Sequence, residues 1–134
     1  MSFTDFLELE VLDQLFGGLD YPEPVTSWIG LSTTTPADNG TNFTEPVGNG
    51  YARPAPANNK TTWTVAAAGA LDNAIVITFA TASGGSWGTV THFGIFDALT
   101  AGNLLATGAL TTSKTINDGD TAEFAIGALD ITLD

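Results

Sequence analysis

The sequence contains no cysteine and very few basic residues among its 134 positions. Without cysteine the chain cannot form a disulfide, a thiolate metal site or a cysteine nucleophile. Arg53, Lys60 and Lys114 are its only cations against fifteen carboxylates, so the net charge is -12. Nucleic acids and anionic membrane surfaces are bound through clustered lysine and arginine. We therefore expect neither a nucleic acid nor a membrane as a partner.

Groups that could carry out catalysis are scarce as well. His92 is the only histidine, and the sequence has no HExxH and no phosphate-binding glycine loop ending in GK. A pair of carboxylates, as in glycosidases, is a catalytic arrangement that the sequence leaves open, and we expect His92 to be structural or solvated rather than catalytic. Because most of the acids fall in turns or on an N-terminal helix, we expect them to be solvated. We expect neither an enzyme nor a bound cofactor.

Long apolar runs are also missing. No run approaches the roughly 20 residues that a membrane helix needs. Asp5, Glu8 and Glu10 interrupt the apolar residues near the N-terminus, and no basic segment precedes them. We therefore expect no signal peptide, and we expect the protein to fold in a cytoplasm.

The opening residues have the pattern of one amphipathic helix over residues 2–16. Apolar side chains recur there at spacings of three and four and predict a single apolar face: Phe3, Phe6, Leu7, Val11, Leu12, Leu15 and Phe16. Ser2 is a candidate N-cap, and Gly17 and Gly18 predict the end of the helix. The face could cover an edge of the protein's own β domain, or it could pack on other subunits or on another protein.

The remaining residues have the composition of short strands separated by turns. The predicted strands lie near 25–31, 50–56, 61–67, 74–80, 90–96, 103–110, 113–116, 120–126 and 128–133. In the segment VTHFGIF, strict alternation would place Val90 and His92 on one face and Phe93 and Ile95 on the other. Strands at this spacing indicate an all-β fold, and we predict a jelly-roll-like antiparallel β-sandwich. An immunoglobulin-like or other Greek-key sandwich is the alternative.

We divide the chain into the helical segment 1–19 and a β-sandwich domain over 20–134. Residues 33–57 are rich in Pro, Gly and Asn and lack clear periodicity. A loop of this length in a compact domain is usually functional or mobile. We therefore expect an excursion at about 33–57 that reaches a neighbouring subunit or protein.

Two features suggest a ligand, although each has a simpler interpretation. Asn117, Asp118 and Asp120 surround a glycine and are weak calcium candidates, and the stretch 38–40 is similar. Asp-Gly is also the favoured dipeptide of a tight hairpin turn, so we predict no metal. Trp87 follows the sequence SGGS, and we expect it to be partly exposed, where it could contact a sugar or a protein.

Three segments resemble a known family. They are SFTDFLELEVLDQLFGG, then IGLSTTTPADNGTNFTEPVGNGYAR, and the region 86–133 that contains THFGIFD. Together they are similar to small virion proteins of tailed bacteriophages, which are often described as tail fibre proteins. Others of similar make are capsid decoration, or cement, proteins. The resemblance carries no catalytic residues and implies turn and core roles at matching positions: Gly30, Leu31, Pro36, Gly50, Tyr51, Arg53, His92, Phe93, Gly94 and Phe96.

The resemblance implies a non-enzymatic structural protein of the virion. Decoration proteins sit as trimers on the outer capsid surface and brace it against the pressure of the packaged DNA. A strongly acidic protein suits that outer surface, and the short chain has no fibre-like repeat or coiled-coil stem. We therefore expect a cement protein that binds the major capsid protein and itself as a homotrimer after synthesis in the host cytoplasm. The alternative is a tail-associated fibre or receptor-binding protein.

On this interpretation the contacts with other subunits would be made by two parts of the chain. The first is the apolar face of the predicted helix described above. The second consists of large side chains from the long loop, which are Phe43, Tyr51 and Arg53.

Overall fold

The computed structural model describes residues 2–133. Strand β1 (Ser2–Phe3) precedes helix α1 (Asp5–Leu12), which continues as a π-helical turn (Asp13–Gly17). Gly18 ends the helix in the left-handed conformation with φ of 69°, as the glycine pair predicted. Within the described residues no helix is long and apolar enough to span a bilayer.

The predicted start of the helix at Ser2 is wrong. Ser2 and Phe3 pair with Thr107 and Ala106 of a neighbouring strand, so the backbone is extended there. Thr4 is the N-cap residue, but its hydroxyl makes no capping bond. It donates instead to the main-chain oxygens of that strand, which fixes the helix against the sheet.

Seven further strands follow the helix. They are β2 (Trp28–Ser32), β3 (Ala70–Asp72), β4 (Ile77–Thr81), β5 (Gly88–Phe96), β6 (Leu104–Ile116), β7 (Thr121–Phe124) and β8 (Asp130–Thr132). Every ladder is antiparallel: a four-stranded sheet has the order β1-β6-β5-β2, and β3-β8 and β4-β7 form two-stranded sheets. The prediction of an all-β fold with one short N-terminal helix is confirmed. This strand order does not by itself confirm a jelly roll.

Several predicted strands differ from the observed ones. Segment 50–56 forms no strand, and Pro54 and Pro56 explain this because proline cannot donate to a ladder. Segment 61–67 contributes only isolated bridges at Trp63 and Ala67. The two predicted strands at 103–110 and 113–116 are one continuous strand, β6, and the short strand β3 was not predicted.

The core lies between the four-stranded sheet and the two smaller ladders. Val90, Phe93 and Ile95 all belong to one buried cluster. The predicted alternation along VTHFGIF is therefore wrong at Val90, because a bulge between Val90 and His92 shifts the pairing of β5 with β6. His92 is half-buried, and its Nδ1 lies 2.9 Å from the hydroxyl of Thr91.

The buried side-chain amide of Asn73 joins the two smaller ladders. The Nδ2 of Asn73 donates to the carbonyl oxygens of Ile75 and Ala125, both at 2.8 Å. Its Oδ1 accepts a hydrogen bond from the Leu129 amide at 2.8 Å. Asn73 is fully buried, so its side chain replaces ladder bonds at the point where β3, β4 and the segment between β7 and β8 meet.

Candidate functional site

The long loop 33–57 folds back onto the four-stranded sheet. Gly30 of β2 lies directly opposite Gly94 of β5. A Cβ built on Gly94 would lie 2.7 Å from a ring atom of Phe43, and one built on Gly30 would lie 3.3 Å from the same ring. The ring of Phe43 therefore sits on a pair of glycines that leave room for it. It also makes an edge contact with Phe96, with ring centroids 5.0 Å apart.

A buried ion pair holds the second half of the loop. Nε of Arg53 lies 2.9 Å from Oε1 of Glu45, and Nη2 lies 2.7 Å from Oε2. This two-point geometry is the strongest form of an arginine–carboxylate pair. The Arg53 side chain is 4% exposed and that of Glu45 26%. The loop is thus closed by a pair that is largely removed from water.

The same arginine reaches the loop between β5 and β6. Its Nη1 donates to the carbonyl oxygens of Ala98 at 2.7 Å and Ala101 at 3.0 Å. Its guanidinium carbon lies 3.5 Å from the centroid of the Phe96 ring, which adds a cation–π contact. We call Arg53, Glu45 and Phe96 the arginine clamp, because they join residues 33–57 to the sheet and to the next loop.

Tyr51 extends the clamp to the core. Its hydroxyl donates to Oε1 of Glu45 at 2.7 Å and accepts from the amide of Leu31 at 2.9 Å. Burial raises the pKa of Tyr51 well above its ordinary value, and the hydrogen bond to Glu45 raises it further. Its ring makes an edge contact with Trp87 at 5.2 Å.

The structure shows what the predicted loop residues contact in their own chain. All three predicted loop residues contact side chains or main-chain groups of the same subunit: Phe43, Tyr51 and Arg53. The charge of Arg53 is paired with Glu45. Their role at an interface stays a prediction. The Gly30–Gly94 pairing under Phe43 was not foreseen, since the partners are far apart in the sequence.

The expectation that Trp87 is exposed is wrong. Trp87 is 4% exposed, and its Nε1 donates to the carbonyl oxygen of Asn49 at 2.9 Å. Asn49 also donates from its side chain to the carbonyl oxygen of Ser86. The long loop therefore covers this tryptophan, which the glycine-rich sequence before it did not reveal.

The predicted apolar face of the N-terminal helix is divided into two parts. The first part, Phe3, Phe6, Leu7 and Val11, is half-buried against the protein. The second part is exposed, with Phe16 at 82%. This second part consists of Leu12, Leu15 and Phe16, and together with the exposed Leu19 just beyond the helix we call it the helix-end patch.

Two open clefts flank the sheet. The helix-side cleft, of about 330 Å³, is lined by apolar groups that include Leu7, Trp63 and Ile131, with Lys60 and Glu23 also lining it. The second cleft, of about 360 Å³, is lined by apolar residues of β2, β5, β6 and β7. Lys114, Asp120 and Glu123 also line this second cleft.

The calcium candidates form a turn between β6 and β7. Oδ2 of Asp120 accepts the amide of Asn117 at 2.8 Å, and Oδ1 of Asp118 accepts the amide of Gly84 at 2.9 Å. Gly119 has φ of 87°, as a tight turn requires. Among residues 2–133 no group of three or more His, Cys, Asp or Glu side chains is placed to hold a metal ion.

The sequence matches a known protein family over nearly its whole length. The family model described as podophage GP4 fiber I protein gp80 matches residues 2–132, nearly the whole chain. A search of curated proteins found no match.

Proposed function

Because this chain belongs to the podophage GP4 fibre I protein family, we propose that it is a fibre subunit that works through binding and assembly rather than catalysis. Membership of the family makes it a structural protein of a bacteriophage particle. The family description is the observation that favours a fibre over other positions in the virion.

The geometry supports an assembly role in two ways. The loop 33–57, which lacks regular structure, is held by the arginine clamp and by the Phe43 ring, so it presents a defined surface. The helix-end patch leaves large apolar side chains in water, with Phe16 82% exposed. Apolar surfaces of this kind on a folded protein mark contact sites. We infer that the helix-end patch is covered when the protein assembles.

A capsid decoration protein is the second candidate. The net charge of -12 favours it, because an acidic protein is suited to the outside of a DNA-filled shell. In that role the protein would form a homotrimer and would bind the major capsid protein on the outer surface of the head.

Locating the protein on the intact particle distinguishes the two candidates. We would display a short epitope tag at residue 126, since Ile126 lies in the turn between β7 and β8 and is 65% exposed. Gold-labelled antibody should mark the fibres in electron micrographs. Label spread over the whole head would replace the fibre proposal with the cement proposal, and absence of the protein from purified particles would refute both.

A further inference from the structure

The helix-end patch has the properties of an insertion site. Leu15 and Phe16 lie three and four residues after Leu12 in the last turns of the helix, and all three side chains are largely exposed. Two exposed acids, Asp13 and Asp20, flank them in the sequence. The patch is therefore an apolar projection with a negatively charged border.

The helix-side cleft has the complementary properties. Its volume of about 330 Å³ is about twice the roughly 150 Å³ of an engineered cavity that binds benzene, so it is large enough for a phenyl ring. Its apolar lining includes Trp63 and Leu71, and it is open at the surface. Lys60 is exposed beside it, with its Nζ donating to the carbonyl oxygen of Thr64 at 3.1 Å.

The charges favour a second copy of this chain as the occupant. Within residues 2–133 the only ion pair is the one between Arg53 and Glu45, so Lys60 and Lys114 are the cations without an acidic partner. Each of these lysines lies at one of the two clefts. In a chain with fifteen carboxylates, both cations that lack an acidic partner within residues 2–133 thus lie beside an apolar cleft.

The two clefts differ in how well they would accept an acid-bordered patch. The second cleft combines Lys114 with two acids, Asp120 and Glu123, and would repel the patch. The helix-side cleft combines Lys60 with a single acid, Glu23. The helix-side cleft is therefore the better match in charge.

We propose that Phe16 of one copy inserts into the helix-side cleft of a second copy, with Lys60 facing the acids beside the helix end. This contact joins two different surfaces, so it is heterologous: it closes into a ring if the rotation allows and otherwise continues as a filament. The inference rests on the proposed function, because it supplies the contact through which subunits of a virion protein would associate.

Mixing two variants tests the contact directly. Phe16→Ser removes the inserted ring, and Lys60→Glu places a like charge opposite the acids. Each variant alone should associate about tenfold more weakly than the natural chain, as expected for loss of a central interface residue. A mixture of the two retains one intact pairing, because the first variant has a natural cleft and the second a natural helix end. Analytical ultracentrifugation should therefore show dimers in the mixture.

Matched controls separate this contact from general stickiness and from misfolding. Ile126→Ser removes another exposed apolar side chain, outside both the helix end and the loop 33–57, and Lys114→Glu reverses the cation at the other cleft. Both should associate like the natural chain. Thermal unfolding followed by circular dichroism should give similar midpoints for all four variants, because each position is exposed.

A crosslink gives a second, independent readout. The chain has no cysteine, so every disulfide in a mixture of Phe16→Cys and Lys60→Cys joins two engineered positions, either the mixed pair or two copies of one variant. The mixed covalent dimer, which its mass identifies, should be the main product, whereas Ile126→Cys mixed with Lys60→Cys should give no excess of the mixed dimer.

Three results would overturn the inference. They are a natural chain that stays monomeric, a variant mixture that stays monomeric while the natural chain associates, and equal crosslinking at position 126. A monomeric protein that still labels the fibres would refute this contact and leave the proposed function standing. If the protein associates through Phe16 but is absent from the particle, the contact stands and the proposed function is refuted.

Discussion

Replacing Glu45 with glutamine removes the negative charge from the arginine clamp while keeping the size of the side chain. Arg53 would then remain as a cation with only 4% of its side chain exposed. Its Nη1 would keep the two carbonyl acceptors at 2.7 and 3.0 Å, but the carboxylate at 2.7–2.9 Å would be lost. The variant therefore tests whether the ion pair, rather than the hydrogen bonds alone, holds the loop 33–57.

The expected cost follows from the burial of the two partners. Breaking a fully buried pair by removing one partner costs about 3–5 kcal/mol. The Glu45 side chain is 26% exposed, and water therefore reaches it and weakens the pair, which lowers the expected cost to about 2–3 kcal/mol. For a domain of this size each kcal/mol shifts the melting temperature by roughly 3–5 °C, so Glu45→Gln should melt about 6–15 °C lower.

Differential scanning calorimetry at neutral pH measures this shift. Glu123→Gln is the matched control, because Glu123 is exposed and its neutralisation should change stability by less than about 0.5 kcal/mol. The double variant Arg53→Met, Glu45→Gln should recover part of the loss, since it leaves no unpaired cation. If Glu45→Gln melted within the range of the control, the clamp would contribute nothing and the reasoning would be refuted.

Three further predictions concern the packing and the buried polar groups. Gly94→Ala would place its Cβ 2.5 Å from Cδ1 of Leu104 and 2.7 Å from the Phe43 ring. The variant should therefore lose about 1–3 kcal/mol of unfolding free energy, measured by urea unfolding. An unchanged urea midpoint would show that the Phe43 ring does not pack on Gly94. Asn73→Asp keeps the shape of the side chain but removes both donors to buried carbonyl oxygens. It should lower the free energy of unfolding by about 2–4 kcal/mol in the same measurement. A loss below about 0.5 kcal/mol would contradict the bridging role of Asn73. The pKa of Tyr51 is raised in the folded state, so its contribution to stability is complete below its ordinary pKa of about 10 and declines above it by about 1.4 kcal/mol per pH unit. The stability difference between the natural chain and Tyr51→Phe should therefore shrink between pH 9 and pH 11, and a constant difference would refute that assignment.

Local sequence pattern was a good guide wherever local forces decide the structure. The helix and its end at the glycine pair followed from apolar spacing and from the left-handed conformation of Gly18. Most strands lay near their predicted positions, because β-branched runs bounded by turn residues mark strands without knowledge of their partners. The turn at 117–120 also followed the chemistry of its Asp-Gly dipeptide.

The same pattern failed where a distant residue determined the outcome. The start of the helix moved because β6 pairs with Ser2 and Phe3. Val90 joined the core because of a bulge in the pairing of β5 with β6. Trp87 is buried by a loop that lies almost forty residues earlier in the sequence.

The functional residues divide in the same way. The family segments in the sequence were sufficient to predict a phage virion protein, and the matched family agrees. The apolar repeat identified the helix face, but it could not tell which half of that face the protein covers itself. Only the fold separated the half-buried Phe6 from the exposed Phe16.

Composition and local pattern were enough to predict the acidic net charge, the absence of thiol chemistry, the N-terminal helix and the β-rich remainder. The tertiary structure shows which polar groups have hydrogen-bond or charge partners within the chain and which apolar side chains are buried. Arg53 forms an ion pair with Glu45, whereas Lys60 donates only to a main-chain oxygen. Both contacts depend on which segments meet in the folded chain. The physical reason is that burial and hydrogen bonding arise from long-range pairing, whereas charge, spacing and turn preference belong to each residue and its neighbours.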